Sequence, residues 1–152
     1  MKIISKDITT IEEGIICHQV NTQGVMGSGL ALQIKRKFPV AFTEYKRFCD
    51  TLTDKELLGA VAMVMITEKL VVANLFGQTS YGRQGIHTNY GALQNALEQV
   101  IEAAEFNGDQ VYVPYNLGCG LAGGNWLTVS KMIEKLEALY ETEIIVCRLQ
   151  GL

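Results

Sequence analysis

Apolar residues fall along this chain in two rhythms. Short β-branched runs occupy Lys2–Ile4, Gly14–Cys17, Val61–Thr67, Leu70–Phe76, Val111–Val113 and Glu143–Cys147. Several are apolar at nearly every position, the pattern of strands buried on both faces of a sheet. Only Glu68-Lys69 separates Val61–Thr67 from Leu70–Phe76, a gap that predicts an antiparallel hairpin. The second rhythm is helical. Leu93, Leu97, Val100, Ile101 and Ala104 recur at that spacing within Asn89–Phe106, as do Val129, Met132, Ile133, Leu136 and Leu139 within Asn125–Glu141. Gly29–Lys37 predicts a helix that leaves a glycine-rich loop and stops before Pro39, and a shorter helix is expected over Ala41–Cys49. Strands alternating with helices predict a three-layer α/β/α sandwich around a mixed, largely parallel sheet of about six strands.

A length of 152 residues fits a single domain spanning residues 1–152. Hydrophobic residues at 48% against 19% charged exclude a mainly disordered chain. The net charge of −3 lacks the basic excess of a broad nucleic-acid footprint. The opening MKIISKDITT has no apolar signal-peptide core, and no apolar run reaches membrane-spanning length. A cytoplasmic location, no membrane partner and a monomer are the resulting expectations. Cys17, Cys49, Cys119 and Cys147 are scattered without zinc-ligand spacing, and are expected to serve mostly as buried small hydrophobes.

Chemistry concentrates in two glycine-rich segments, each after a predicted strand and before a helix. The first is Gly24-Val-Met-Gly27-Ser-Gly29, and the second Gly118-Cys-Gly120-Leu-Ala-Gly123-Gly124. Glycine lets the backbone approach a ligand closely, and a helix N-terminus adds positive potential. Both segments belong at the carboxyl ends of strands, where α/β sheets bind ligands, so together they can clasp a diphosphate. Each can also be simply a flexible turn. The first lacks the Lys-Ser/Thr ending of a P-loop, and no acidic residue occupies the Rossmann ribose position, which disfavours NTP hydrolysis and hydride transfer. Cys119 between glycines invites a cysteine-phosphatase nucleophile, but that chemistry wants an arginine where Asn125 stands.

His18 and Asn21 directly follow the predicted Gly14–Cys17 strand. A neutral imidazole can activate water, attack phosphorus or protonate a leaving oxygen, and Asn21 offers a donor and an acceptor to sugar hydroxyls. The alternative is that His18 caps a strand end against backbone. His87 lies in the polar stretch Gly77–Thr88 with Tyr81, Gly82, Arg83 and Gly85. That stretch reads as a surface loop, either a lid with Arg83 free for a phosphate or a solvated connection. His87 and His18 find no third metal ligand, so no metal is expected.

These residues together resemble the macrodomains, which bind ADP-ribose. The likeness runs through Ile4-Ser-Lys-Asp7-Ile8-Thr9, His18-Gln-Val-Asn21-Thr-Gln-Gly24-Val-Met-Gly27-Ser-Gly29-Leu-Ala31, Asn89-Tyr90 and Pro114-Tyr-Asn-Leu-Gly118-Cys-Gly120-Leu-Ala-Gly-Gly124. It is most similar to the small stand-alone branch of ADP-ribose-1''-phosphate phosphatases and terminal ADP-ribose glycohydrolases. The resemblance implies that Asp7 accepts the adenine amino group and Ile8 bonds the adenine edge through its backbone. It implies that Asn21 holds the distal ribose, and that Gly27, Ser28, Gly29 and Leu30 line that ribose and the diphosphate. Asn116, Gly118, Cys119, Gly120 and Leu121 would form the second phosphate loop. His18 falls where the phosphatases carry a histidine near the distal ribose, which makes His18 and Asn21 the expected catalytic pair. The glycohydrolases carry a lysine and an acid instead; the corresponding positions here are Gly77-Gln78 and Ala122. The expected activity is removal of the 1''-phosphate from ADP-ribose 1''-phosphate, without a cofactor. Release of ADP-ribose from a modified protein or nucleic acid, or ADP-ribose binding without turnover, are the alternatives.

Overall fold

In a computed structural model, residues 1–149 are described. Among them the strands are β1 (Lys2–Ser5), β2 (Gly14–Val20), β3 (Val61–Met65), β4 (Leu70–Phe76), β5 (Val111–Pro114) and β6 (Ile144–Arg148). They form one sheet in the order β1-β6-β5-β2-β4-β3, parallel throughout except where β3 runs against β4. That is the expected mixed sheet, with the hairpin strand at one edge.

The helices are α1 (Gly29–Lys37), α2 (Pro39–Thr51), α3 (Asp54–Leu57), α4 (Tyr90–Asn107) and α5 (Trp126–Tyr140). A single 3-10 turn, Ile8–Thr10, follows β1. The pleat sorts the core by parity. Ile15, Cys17, Ala73 and Leu75 face α4 and α5, burying Leu93, Leu97, Val100, Ile101, Val129 and Ile133. Ile16, Val20, Val72 and Phe76 face the other layer, against Ile34, Ala41, Tyr45 and Leu57. Two helical layers on one sheet complete the three-layer sandwich.

Three differences from expectation matter for the site. The second helix starts at Pro39 rather than at Ala41, since a first helical position needs no N–H from proline. The four-residue α3 was not expected, because its Thr53–Glu56 capping box carries too few apolar positions to show a period. Most important, β2 runs to Val20, so His18 lies inside the strand rather than beyond its end.

Candidate functional site

Five parallel strands end on one side of the sheet, and the loops leaving β1, β2, β4 and β5, with the first turn of α1, carry the expected binding residues, whereas His18 lies within β2. Asp7 follows β1 and caps the 3-10 turn: its Oδ1 accepts from the Thr9 amide at 2.9 Å and the Thr9 hydroxyl at 2.8 Å. Its second carboxylate oxygen makes no hydrogen bond among the described residues. The side chain of Ile8 is buried, so only its backbone is available to a ligand.

The loop from β2 to α1 is shaped by a residue that the sequence pattern did not flag. The buried hydroxyl of Tyr45, on α2, accepts from the amides of Gly24 and Val25, each at 3.1 Å. It donates to Asn21, whose backbone oxygen lies at 2.8 Å and Oδ1 at 2.7 Å. Burial pushes this phenol up, so it stays a donor at any physiological pH. Asn21 is itself mostly committed: Oδ1 also accepts from the Gln23 amide, and Nδ2 donates to the Val25 carbonyl. One Nδ2 hydrogen is left for a ligand. Met26 anchors the loop in the core, while Gly27, Ser28 and Gly29 are exposed. Ser28 makes no side-chain cap on α1, so the helix start presents its amides uncovered.

The loop from β5 to α5 differs. Asn125 caps α5 by accepting from the Leu127 amide. The amide of Cys119 bonds to Asn116, and those of Gly123 and Gly124 bond to Gly120 and Gly118. Gly120, Leu121 and Ala122 are left as three consecutive residues whose amides have no partner among the described residues. Ala122 was not among the expected binding residues; only the traced hydrogen bonds separate its free amide from that of Cys119. A side chain at Gly120 would meet nothing within 4 Å, so neither packing nor φ requires glycine there. Cys119 is a poor nucleophile: burial holds its thiol at about 11, and Sγ lies 3.2 Å from the Leu117 carbonyl.

The third loop, Gly77–Asn89, ties the other two together. Thr79 presents its carbonyl to the Thr22 amide and to the side chains of Thr22 and Gln23 in the first loop. The amides of His87 and Thr88 both donate to the Ala122 carbonyl in the second. A bridge between Gln78 and Thr88 closes its base. Beneath it, Gln19 Nε2 donates to Gln78 Oε1 at 2.8 Å and to Thr88 Oγ1 at 2.9 Å, and the Thr88 hydroxyl donates to the Gly118 carbonyl. Any side chain at Gly77 would strike the Gln19 carboxamide, and one at Gly118 (φ +71°) would lie 2.9 Å from Gln19 Oε1. Gln19 therefore fills the space a side chain at position 77 would need. Arg83 is exposed at the tip.

His18 is the expected site residue that the structure does not bring to the cleft. It is 1% exposed and points toward the α2 layer, where the β2–β4 register sets it beside Asn74. Nε2 lies 2.5 Å from Asn74 Oδ1, and Asn74 in turn donates to the carbonyls of Ala41 and Ala62. Burial lowers the imidazole to about 4, so it is neutral at pH 7. The expectation of His18 at the mouth of the cleft is thus corrected: β2 continues through Val20, and the pairing of His18 with Asn74 places it in the core.

The sequence profile described as Macro domain matches residues 17–133. The chain belongs to the Macro domain family. Among relatives, this macrodomain is 26% identical over 133 residues to the ADP-ribose 1''-phosphate phosphatase of Lodderomyces elongisporus, covering 82% of both proteins. A 45-residue stretch, 30% of this chain and 13% of the relative, is 42% identical to a DNA ADP-ribosyl glycohydrolase of Mycobacterium bovis. Among solved structures, a macrodomain protein from Streptomyces coelicolor superposes with a TM-score of 0.79 at 27% identity, over 99% of each chain. Among the described residues, no helix is long and apolar enough to cross a membrane, and no cluster of three or more metal-ligating side chains occurs.

Proposed function

We propose that this macrodomain binds ADP-ribose across the carboxyl ends of its parallel strands and removes the phosphate from ADP-ribose 1''-phosphate. The observation that carries the reading is the pair of amide runs on adjacent strands. Gly27–Gly29 after β2 and Gly120–Ala122 after β5 follow neighbouring strands at the same end of the sheet, with backbone N–H groups that have no partner among the described residues. Two such runs suit a diphosphate, and a net charge of −3 is no obstacle when binding is by amides.

The strand order then fits a ligand of this length. Asp7 follows β1, which is three strand positions from β2, roughly 14 Å at ordinary strand spacing. Adenine would donate its amino group to the free oxygen of Asp7 and meet the Ile8 backbone. The diphosphate would sit between the amide runs, with Asn116 at its edge, and the distal ribose would meet Asn21 and the Gly27–Leu30 segment. Binding energy from the adenosine end positions the 1''-phosphate for attack by water. His18 contributes by fixing the end of β2, as a positioning residue rather than a group in contact with phosphate.

The test is phosphate release from ADP-ribose 1''-phosphate by the purified protein, with calorimetry of ADP-ribose on the wild type and Asp7→Ala. Phosphate release, and binding weakened about tenfold by Asp7→Ala, support the reading. Binding without release from this substrate or from ADP-ribosylated protein would make the domain a reader.

The local identity to the glycohydrolase favours a second reading, release of ADP-ribose from a conjugate. Neither Gly77 nor Gln78 is a lysine, and a side chain at position 77 would have to displace the Gln19 carboxamide, so that route would need activated water. ADP-ribose freed from ADP-ribosylated DNA, with no phosphate released from the monoester, would favour it.

A further inference from the structure

With His18 sealed in the core, hydrolysis in this cleft lacks an assigned group to move a proton. The second of the chain's two histidines is the remaining imidazole. His87 is rooted on the second amide loop through its own N–H, bonded to Ala122 O at 2.7 Å. Its Nδ1 lies 2.9 Å from Ser80 Oγ within the third loop. Its Nε2 is enclosed and has no hydrogen-bond partner.

Two tautomers satisfy the Ser80 contact, and their costs differ. If Ser80 donates to Nδ1, a buried N–H is orphaned at Nε2, an arrangement that folded proteins rarely retain. If Nδ1–H donates to Ser80, only a lone pair is left bare at Nε2, which costs less. The bond at one ring nitrogen thereby sets the function of the other: with Nδ1–H on Ser80, Nε2 is the ring's acceptor.

The cover over Nε2 belongs to the surface. Gly82, at φ +150°, packs beside the imidazole within the turn Tyr81–Ile86, whose six residues are all exposed. Lifting that turn breaks no core packing, whereas uncovering His18 would require opening the sheet against α2.

We propose that His87, oriented by Ser80, is the general base of this site and that Tyr81–Ile86 is the flap that admits substrate to it. The proposal rests on the phosphatase reading above. Nε2 takes a proton from water as the water oxygen bonds to phosphorus. The bond from phosphorus to O1'' breaks, and the proton returns from Nε2 to O1''. The products are ADP-ribose and phosphate, with no further reactant.

The experiment measures kcat and KM for ADP-ribose 1''-phosphate, and the Kd of ADP-ribose, for the wild type, His87→Gln, His87→Ala and Ser80→Ala. His87→Gln should lower kcat at least ~100-fold and Ser80→Ala ~10-fold, with Kd for ADP-ribose changed less than ~3-fold. Added imidazole should restore part of the His87→Ala rate, which a merely structural histidine would not allow. If His87→Gln turns over within ~3-fold of an active wild type, the dyad is wrong and the phosphatase reading stands. A wild type that binds ADP-ribose yet releases no phosphate overturns both.

Discussion

Asn74 and His18, 56 residues apart in sequence, form a hydrogen-bonded pair on adjacent strands in the core. The carboxamide oxygen of Asn74 receives Nε2–H, and its amino group satisfies two backbone carbonyls of α2 and β3. The pair converts a titratable side chain into a structural donor and fixes the strand that leads into the first amide loop.

Acid should therefore destabilise this domain through His18. The folded imidazole is held at about 4, below the ordinary unfolded value of about 6.5. The unfolded chain binds a proton that the folded one refuses, so stability is complete above pH 6.5 and falls as pH drops toward 4. The loss is on the order of 3 kcal/mol by pH 4. Urea unfolding between pH 7 and 4.5 should show it, and His18→Gln should flatten the curve relative to the wild type. An identical pH dependence in both proteins would exclude the mechanism.

Tyr45→Phe should loosen the first amide loop while leaving the ring's packing against Phe42 and Phe76 in place. It removes the acceptor of two loop amides and a donor to Asn21, at roughly 1–3 kcal/mol. ADP-ribose affinity should fall with it. Thermal melting and calorimetry on the same protein check both.

Two alanine substitutions in the second loop should have opposite signatures. Gly118→Ala forces a Cβ toward Gln19 Oε1 at a left-handed φ and should lower the melting temperature. Gly120→Ala meets no protein atom; it should melt like the wild type and bind ADP-ribose at least ~10-fold more weakly. Equal affinity in Gly120→Ala would remove that glycine from the site.

Cys119→Ser should retain phosphatase turnover within ~3-fold, since a thiol held at about 11 offers almost no thiolate at pH 7. Slow alkylation by iodoacetamide at neutral pH, compared with free cysteine, is the accompanying measurement.

The sequence by itself determined the layered architecture, the hairpin edge, the family and the loops that carry the chemistry. Each of these depends on local signals. Apolar runs such as Leu70–Phe76 report burial on two faces, the spacing of Leu93, Leu97 and Ile101 reports a helix, and glycines in sequence mark a backbone that must turn or be approached. Hydrogen-bond partners are not local. Whether Ala122 or Cys119 offers its amide follows from turns closed by carbonyls elsewhere in the loop. That Tyr45 holds the first loop, and Gln19 all but excludes a side chain at position 77, follows from packing across 24 and 58 residues of chain, respectively. The fate of the two histidines shows the division most plainly. His18 lies beside a motif but faces inward, because three more residues of β2 pair with β4; His87 lies in an unpatterned loop, yet its backbone N–H ties it to Ala122 of the second amide loop. A strand's period of two turns a small shift in its end into the choice between core and cleft, and only the folded register settles that choice.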